Sequence, residues 1–174
     1  MRSFLNLIVL AVVLPLGGCF YSSDNPLWPV KSGEQLPLPA GTYSCEAHES
    51  SGATQKGTVE ARQVLDGANL YYTINDGHIV YNASFHRVAG NDYVAAMNVD
   101  GAPDTMYVFV QIRGIEVRWV VEDMDMAKKL AKDYNVSTDG TKLAYVDAIA
   151  AQKFIVEVSK HLQDAPNYMS CTHA

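Results

Sequence analysis

The sequence predicts an α+β fold: an antiparallel β-meander of about seven strands, forming a curled sheet or partial barrel, with two C-terminal helices packed on it. Three observations carry this. Apolar residues recur at every second position from Gly41 to Glu122. The interruptions between those runs are short turn sequences. Beyond Glu122 the apolar spacing lengthens to about four. A period of two is that of a strand with one face toward a core, and a period near 3.6 is that of an amphipathic helix.

The strands follow in order. Tyr43, Cys45 and Ala47 alternate with Thr42, Ser44, Glu46 and His48, and Val59 and Ala61 with Glu60 and Arg62. Leu70, Tyr72 and Ile74 form the next run, then Ile79, Tyr81, Ala83 and Phe85, then Tyr93, Ala95, Met97 and Val99. Met106, Val108, Val110 and Ile112 oppose Tyr107, Phe109 and Gln111, and Ile115, Val117, Trp119 and Val121 oppose Glu116, Arg118 and Glu122. Asp66-Gly67, Asn75-Asp76-Gly77, Ala89-Gly90-Asn91-Asp92, Asp100-Gly101-Ala102-Pro103-Asp104 and Gly114 separate them. Connections this short join only antiparallel neighbours. A sheet of this many strands twists and curls.

Met126, Leu130 and Tyr134 mark a first helix, with Lys128, Lys129 and Lys132 opposite, an Asp at its start and Asn135 at its end. Ser137-Thr138-Asp139-Gly140 reads as a loop. A second helix runs from about Ala148 to Gln163 on the stripe Ala151, Phe154, Ile155, Val158 and Leu162, and Pro166 stops it. The only large surface for that stripe is the apolar face of the sheet. The stretch from Tyr168 to Thr172 reads as a short strand returning beside residues 41–48.

The chain has 174 residues, a net charge of −6 and no basic block, so nucleic acid is not an expected partner. No Gly-x-Ser-x-Gly elbow, phosphate-binding glycine loop or dinucleotide fingerprint occurs, and no cofactor is implied. Glu122, Asp123 and Asp125 lie between a strand and a helix, where a helix cap is the plainer reading than a pair of catalytic carboxylates. Cys45, His48, Cys171 and His173 have the residue types of a zinc site. Positions 45 and 48, however, differ by an odd number and point to opposite faces of a strand, so no metal is expected. His78 and His86 are separated by roughly 26 Å of strand and read as solvated. The sequence therefore points to a non-enzymatic chain. Tyr71, Tyr107 and Phe109 fall opposite the main apolar set. They either contact a partner or ligand, or are buried because the curled sheet covers both its faces.

The N-terminus supplies the most specific signal. Met1-Arg2 is followed by an apolar stretch from Phe4 to Leu14, too short to span a bilayer, and then by Leu16-Gly17-Gly18-Cys19. These four residues resemble the lipobox of bacterial lipoprotein precursors. The resemblance covers the first nineteen residues only. It implies a signal peptide over residues 1–18, cleavage before Cys19 and acylation of that cysteine, so that the lipid bilayer becomes a partner. One acyl chain binds a membrane marginally, whereas two or more hold stably. Phe20 stands where the family carries Asp for inner-membrane retention, which implies the outer membrane, facing the periplasm.

With Cys19 lipidated, two cysteines remain in an oxidising compartment, and a Cys45–Cys171 disulfide is expected. Residues 19–40, with Pro26, Pro29, Pro37 and Pro39, read as a tether. Leu27, Trp28 and Leu36 are too apolar for a fully solvated spacer, so part of it should lie against the domain through Trp28, or Trp28 should dock a partner. Residues 41–174 form the single domain.

The expected role is a membrane-anchored binding or interaction module for an envelope protein, peptidoglycan or a small apolar ligand. Two narrower readings stand beside it. Tyr43-Ser44-Cys45 resembles small β-sheet lipoproteins that block lysozyme, although their later inhibitory loop motif is missing. A meander also suits a lipocalin-like carrier of apolar molecules, with Gly41-Thr42-Tyr43 in place of that family's Gly-x-Trp.

Overall fold

In a computed structural model, the described residues are 21–48, 52–120, 124–139, 142–162, 165 and 167–174. The lipobox and Cys19 lie outside them, as do Glu122, Asp123 and Pro166. Among the described residues, eleven strands and two helices follow in order: β1 (Tyr21–Ser23), β2 (Gly41–His48), β3 (Thr54–Asp66), β4 (Asn69–Asn75), β5 (Val80–Ala89), β6 (Asp92–Val99), β7 (Thr105–Arg113), β8 (Glu116–Val120), α1 (Met124–Asp133), β9 (Ser137–Asp139), β10 (Lys142–Ala144), α2 (Ala148–Lys160) and β11 (Asn167–His173).

The seven strands β2 to β8 pair with their sequence neighbours, all antiparallel. β11 then inserts between β8 and β2, antiparallel to both, and the sheet closes as an eight-stranded barrel. Closure removes the two edges that an open meander would leave unpaired. The turn chemistry behaves as the sequence suggests. Between β3 and β4, for example, Gly67 takes a φ of 61°, a left-handed conformation that glycine adopts without a Cβ clash.

Alternation then sorts the side chains. Tyr93, Ala95 and Met97 of β6 and Val108, Val110 and Ile112 of β7 point inward, with Tyr72, Ile74, Tyr81, Ala83 and Phe85. Val94, Ala96, Tyr107 and Phe109 point outward, yet all are buried because the helices cover this face. Ala151, Phe154, Ile155 and Val158 of α2 are all buried against it. Gln111, also outward and buried, donates from Nε2 to the Leu162 carbonyl at 3.1 Å.

Both helices are bounded by local chemistry. Asp147 caps α2 by accepting from the Ile149 N–H at 2.8 Å. α1 is closed off two residues past its end by Asn135, whose φ is 53°, with Val136 N–H bonded to Ala131 C=O at 2.9 Å and Asn135 N–H to Lys132 C=O at 3.3 Å. That is a Schellman arrangement with Asn in the glycine position. α2 ends at Lys160, three residues before the expected Gln163, because His161 turns back its N–H onto Val158 C=O.

Ser137–Asp139, expected as part of a loop, forms β9 instead and pairs with β10. β10 lies parallel to β1, and β1 pairs with the first residues of β7, beyond the point where β8 leaves it. This three-strand extension is too short to show alternation in the sequence. No helix among the described residues is long and apolar enough to cross a membrane.

Candidate functional site: the barrel interior

Residues 21–40 lie against the barrel rather than apart from it. Tyr21 and Ser23 are buried in β1, and the Tyr107 hydroxyl meets the Leu27 N–H at 2.6 Å and Ser23 Oγ at 3.1 Å. Leu27 C=O accepts from Gln152 Nε2 of α2. Trp28 stacks on His86 at 5.3 Å between ring centroids and meets the edge of Tyr107 at 5.9 Å.

Further along, the chain crosses between β4 and β5. These strands pair only from Tyr72–Asn75 to Val80–Ala83, and beyond that Gly33 N–H bonds Leu70 C=O and Glu34 N–H bonds Phe85 C=O, each at 2.8 Å. A Cβ on Gly33 would stand 2.6 Å from the Phe85 nitrogen, so glycine is what allows the approach. Leu36 then enters the barrel interior, its N–H donating to the Tyr72 hydroxyl at 2.9 Å, and the Tyr43 hydroxyl donates to Pro39 C=O at 2.6 Å.

Leu36, Leu38 and Pro39 thus lie across one end of the barrel, the end carrying the β3–β4, β5–β6 and β7–β8 hairpins. Behind them is an apolar cavity, with about 50 Å³ open to the centre of a water molecule, bordered by Tyr72, Phe85, Val117 and Trp119. A second apolar cavity, about 80 Å³ on the same measure, lies toward the opposite end among Tyr81, Met97, Met106, Tyr168 and Met169. Val59, Ile74, Trp119 and Cys171 border both.

A third space of about 220 Å³ opens at the far end between β2, β3 and β11. It shares Val59, Asp76 and Met169 with the second cavity, and adds Gln55, Lys56, Gly57, Thr58 and His78. The interior is therefore graded, from mixed polar at this mouth to almost wholly apolar inside. Gly57 sits there opposite Cys45, and a Cβ built on it would meet nothing within 4 Å.

Among the described residues, no protein group pairs with the indole N–H of Trp119, although that nitrogen is buried. A buried donor without a partner is uncommon and costly. The tyrosines around the interior are held un-ionised: burial pushes the Tyr43, Tyr72 and Tyr81 hydroxyls above their ordinary range. Three methionines border the second cavity, and their flexible thioethers adapt to an occupant of irregular shape. No protein-family model, curated protein or solved structure matches the chain.

The residues singled out from the sequence are distributed as follows. Cys45 and Cys171 form the disulfide, joining directly paired residues of β2 and β11 across a separation of 126 residues. With both sulfurs in that bond, neither is a thiolate ligand, and no group of metal-ligating side chains occurs among the described residues. Tyr107 and Phe109 lie under the helices and present no ring to a partner. Tyr71 is half-buried outside the barrel, with Lys31 Nζ 5.6 Å from its ring centroid.

His86 is not the solvated strand histidine expected. Trp28 covers it, Ser84 Oγ lies 2.9 Å from its Nε2, and burial lowers its pKa to about 4 against a smaller opposing effect of Glu34. Trp119 and Gly57 carry no signal in the sequence that sets them apart. Trp119 reads as one more core residue of a strand, and Gly57 as a defect in one.

Proposed function

We propose that this chain is a non-enzymatic, lipid-anchored binding module that carries a small apolar molecule inside its barrel. The observation that supports this most is the pair of apolar cavities meeting at Trp119, with a buried N–H left without a protein partner. Concave, mostly apolar sites with one or two polar groups are the usual form of small-molecule pockets, and the mouths of β-barrels are a common place for them. A barrel filled solid by its own side chains would argue for a structural role instead.

Among the described residues, the one carboxylate bordering the interior, Asp76, is occupied by the N–H groups of His78 and Ile79, each at 2.8 Å, which suits binding better than proton transfer. The resemblance of Leu16-Gly17-Gly18-Cys19 to a lipobox supports acylation at Cys19 and residence in the cell envelope, on the periplasmic face of the outer membrane. Tyr21, two positions later, already belongs to β1, so the anchor would hold the barrel within roughly 7 Å of chain from the bilayer.

Titration of the chain with N-phenylnaphthylamine tests the carrier reading. Saturable fluorescence enhancement at micromolar concentration, with energy transfer from tryptophan that Trp119→Phe reduces, is the expected result. Probe fluorescence that rises without saturating would remove this reading.

A further inference from the structure

We propose that residues 30–38 form a hinged lid over a lateral port in the barrel wall, between β4 and β5, and that the apolar ligand enters and leaves there. This rests on the carrier reading above and adds the route and its gate.

The wall itself supplies the port. Among the described residues, the β4–β5 ladder has four register pairs, whereas every other ladder that closes the barrel has five or more. Its pairing stops at Tyr72–Ala83, although β4 reaches back to Asn69 and β5 runs on to Ala89. In that gap the Leu70 and Phe85 carbonyls accept from Gly33 and Glu34 rather than from the facing strand. Strands that part in this way leave backbone groups to be satisfied on both sides, and the lid satisfies them.

The chain passes through the gap from outside to inside. Trp28 lies on the outer face, stacked on His86 and packed against the core beneath the helices. Leu36 lies in the inner core with Tyr72 and Phe85. Residues 33 and 34 therefore stand in the wall itself. Directly behind them is the first cavity, bordered by Leu36, Leu38 and Pro39 on one side and by Tyr72 and Phe85 of the two parted strands on the other. At the outer rim, Leu65 faces Leu70 across the β3–β4 ladder and is exposed. An apolar ligand taking this path meets hydrocarbon at the rim and hydrocarbon within, and bypasses the mixed polar mouth at the far end.

The lid is fixed at its ends and lightly held between them. Leu27 is buried with its N–H on the Tyr107 hydroxyl, and Pro39 C=O accepts from the Tyr43 hydroxyl. Between these points Leu36 is the one buried side chain, while Lys31, Ser32, Glu34, Gln35 and Pro37 are exposed. The Leu36 N–H donates to the Tyr72 hydroxyl at 2.9 Å. The Glu34 carboxylate accepts from the Arg87 N–H at 3.2 Å and lies 3.4 Å from Arg87 Nε. A segment with one buried side chain and exposed ties opens locally while the body stays folded. With Leu36 in place the port is stoppered from within, and its departure joins the cavity to the outside.

Opening limits both entry and exit. A substitution that weakens closure equally with and without ligand multiplies the two rate constants by one factor and leaves Kd unchanged. A substitution that only damages the cavity shifts Kd instead. The test uses the full chain carrying Cys19→Ser, so that no acyl anchor competes for the cavity, and follows N-phenylnaphthylamine by stopped-flow fluorescence. Glu34→Ala should raise association and dissociation rates about threefold or more, with Kd within about twofold of the parent. Gly33→Ala, whose Cβ would stand 2.6 Å from the Phe85 nitrogen, should raise both about tenfold or more. Glu60→Ala, which removes an exposed pair with Arg62 on β3, should leave both within about twofold.

Hydrogen exchange supplies a check that needs no ligand. The amides of Gly33, Glu34 and Leu36 should exchange at least about tenfold faster than those of the β5–β6 ladder, and Glu34→Ala should speed the lid alone. Lid amides as protected as the β5–β6 ladder, or lid variants that bind the probe at the parent's rates, would each overturn this inference. With saturable binding intact in those cases, the carrier reading survives and entry moves to the far mouth. A parent chain that never binds the probe would refute the carrier reading, and this route with it.

Discussion

Reducing the Cys45–Cys171 disulfide should cost this barrel about as much as truncating its largest buried side chains. The two cysteines are separated by 126 residues, so the bond closes a loop that contains nearly the whole meander and both helices. In the chain-entropy treatment, a loop of that length restricts the unfolded chain by about 5 kcal/mol at 25 °C. Residual structure in the unfolded chain lowers this, and about 3–5 kcal/mol is the working expectation. The native side changes little, because five register pairs already join β2 to β11. Comparing oxidised and reduced forms of the same chain by urea denaturation isolates the cross-link without altering a side chain. The midpoint should fall on reduction, and the slope should rise because the reduced unfolded chain exposes more surface. A difference below about 1 kcal/mol would refute the reasoning, since it would mean that the unfolded chain keeps β2 and β11 together unaided.

Three further outcomes are expected. His86 has a folded-state pKa of about 4 against an ordinary 6.5, so its contribution to stability is complete above pH 6.5 and lost as pH falls toward 4. The ceiling is about 3 kcal/mol, which partial exposure reduces to about 1–2 kcal/mol; urea unfolding at stepped pH should show this slope, and a slope unchanged in His86→Asn would contradict it. Phe154→Ala should destabilise by about 3–5 kcal/mol, because the ring is fully buried and packs against the edge of Tyr21 at 5.6 Å; a loss under about 1 kcal/mol would mean that α2 is not docked. Gly33→Ala should cost about 1–3 kcal/mol and expose the Leu36 end of the barrel to limited proteolysis, since its Cβ would press on the Phe85 nitrogen and Ser84 Cβ; wild-type resistance would place this segment elsewhere.

The meander was legible because β4, β5, β7 and β8 carry an apolar residue at every second position and because the turns announce themselves with glycine. The α2 stripe and the cross-strand cysteines were equally plain. β3 was less so: Thr54–Gly57 carries no apolar residue, because this half of the strand borders the polar mouth and has no β4 partner. Residues 21–40 were obscured by their prolines, which signal extended backbone but not what the backbone lies against. Tyr107 and Phe109 show a similar limit. Alternation places them outside the barrel, and only the tertiary position of α2 turns the outside into a second core. The interior itself was hidden, because a cavity is a deficit of volume among residues that each read as ordinary core.

The insertion of β11 between β2 and β8 governs how the molecule can be made. The strands that flank it emerge from the ribosome long before residues 167–173 do, and the barrel has no closing ladder until they arrive. Contacts of such high sequence separation form slowly. A polypeptide whose final staple comes so late stays threadable until its last strand is made.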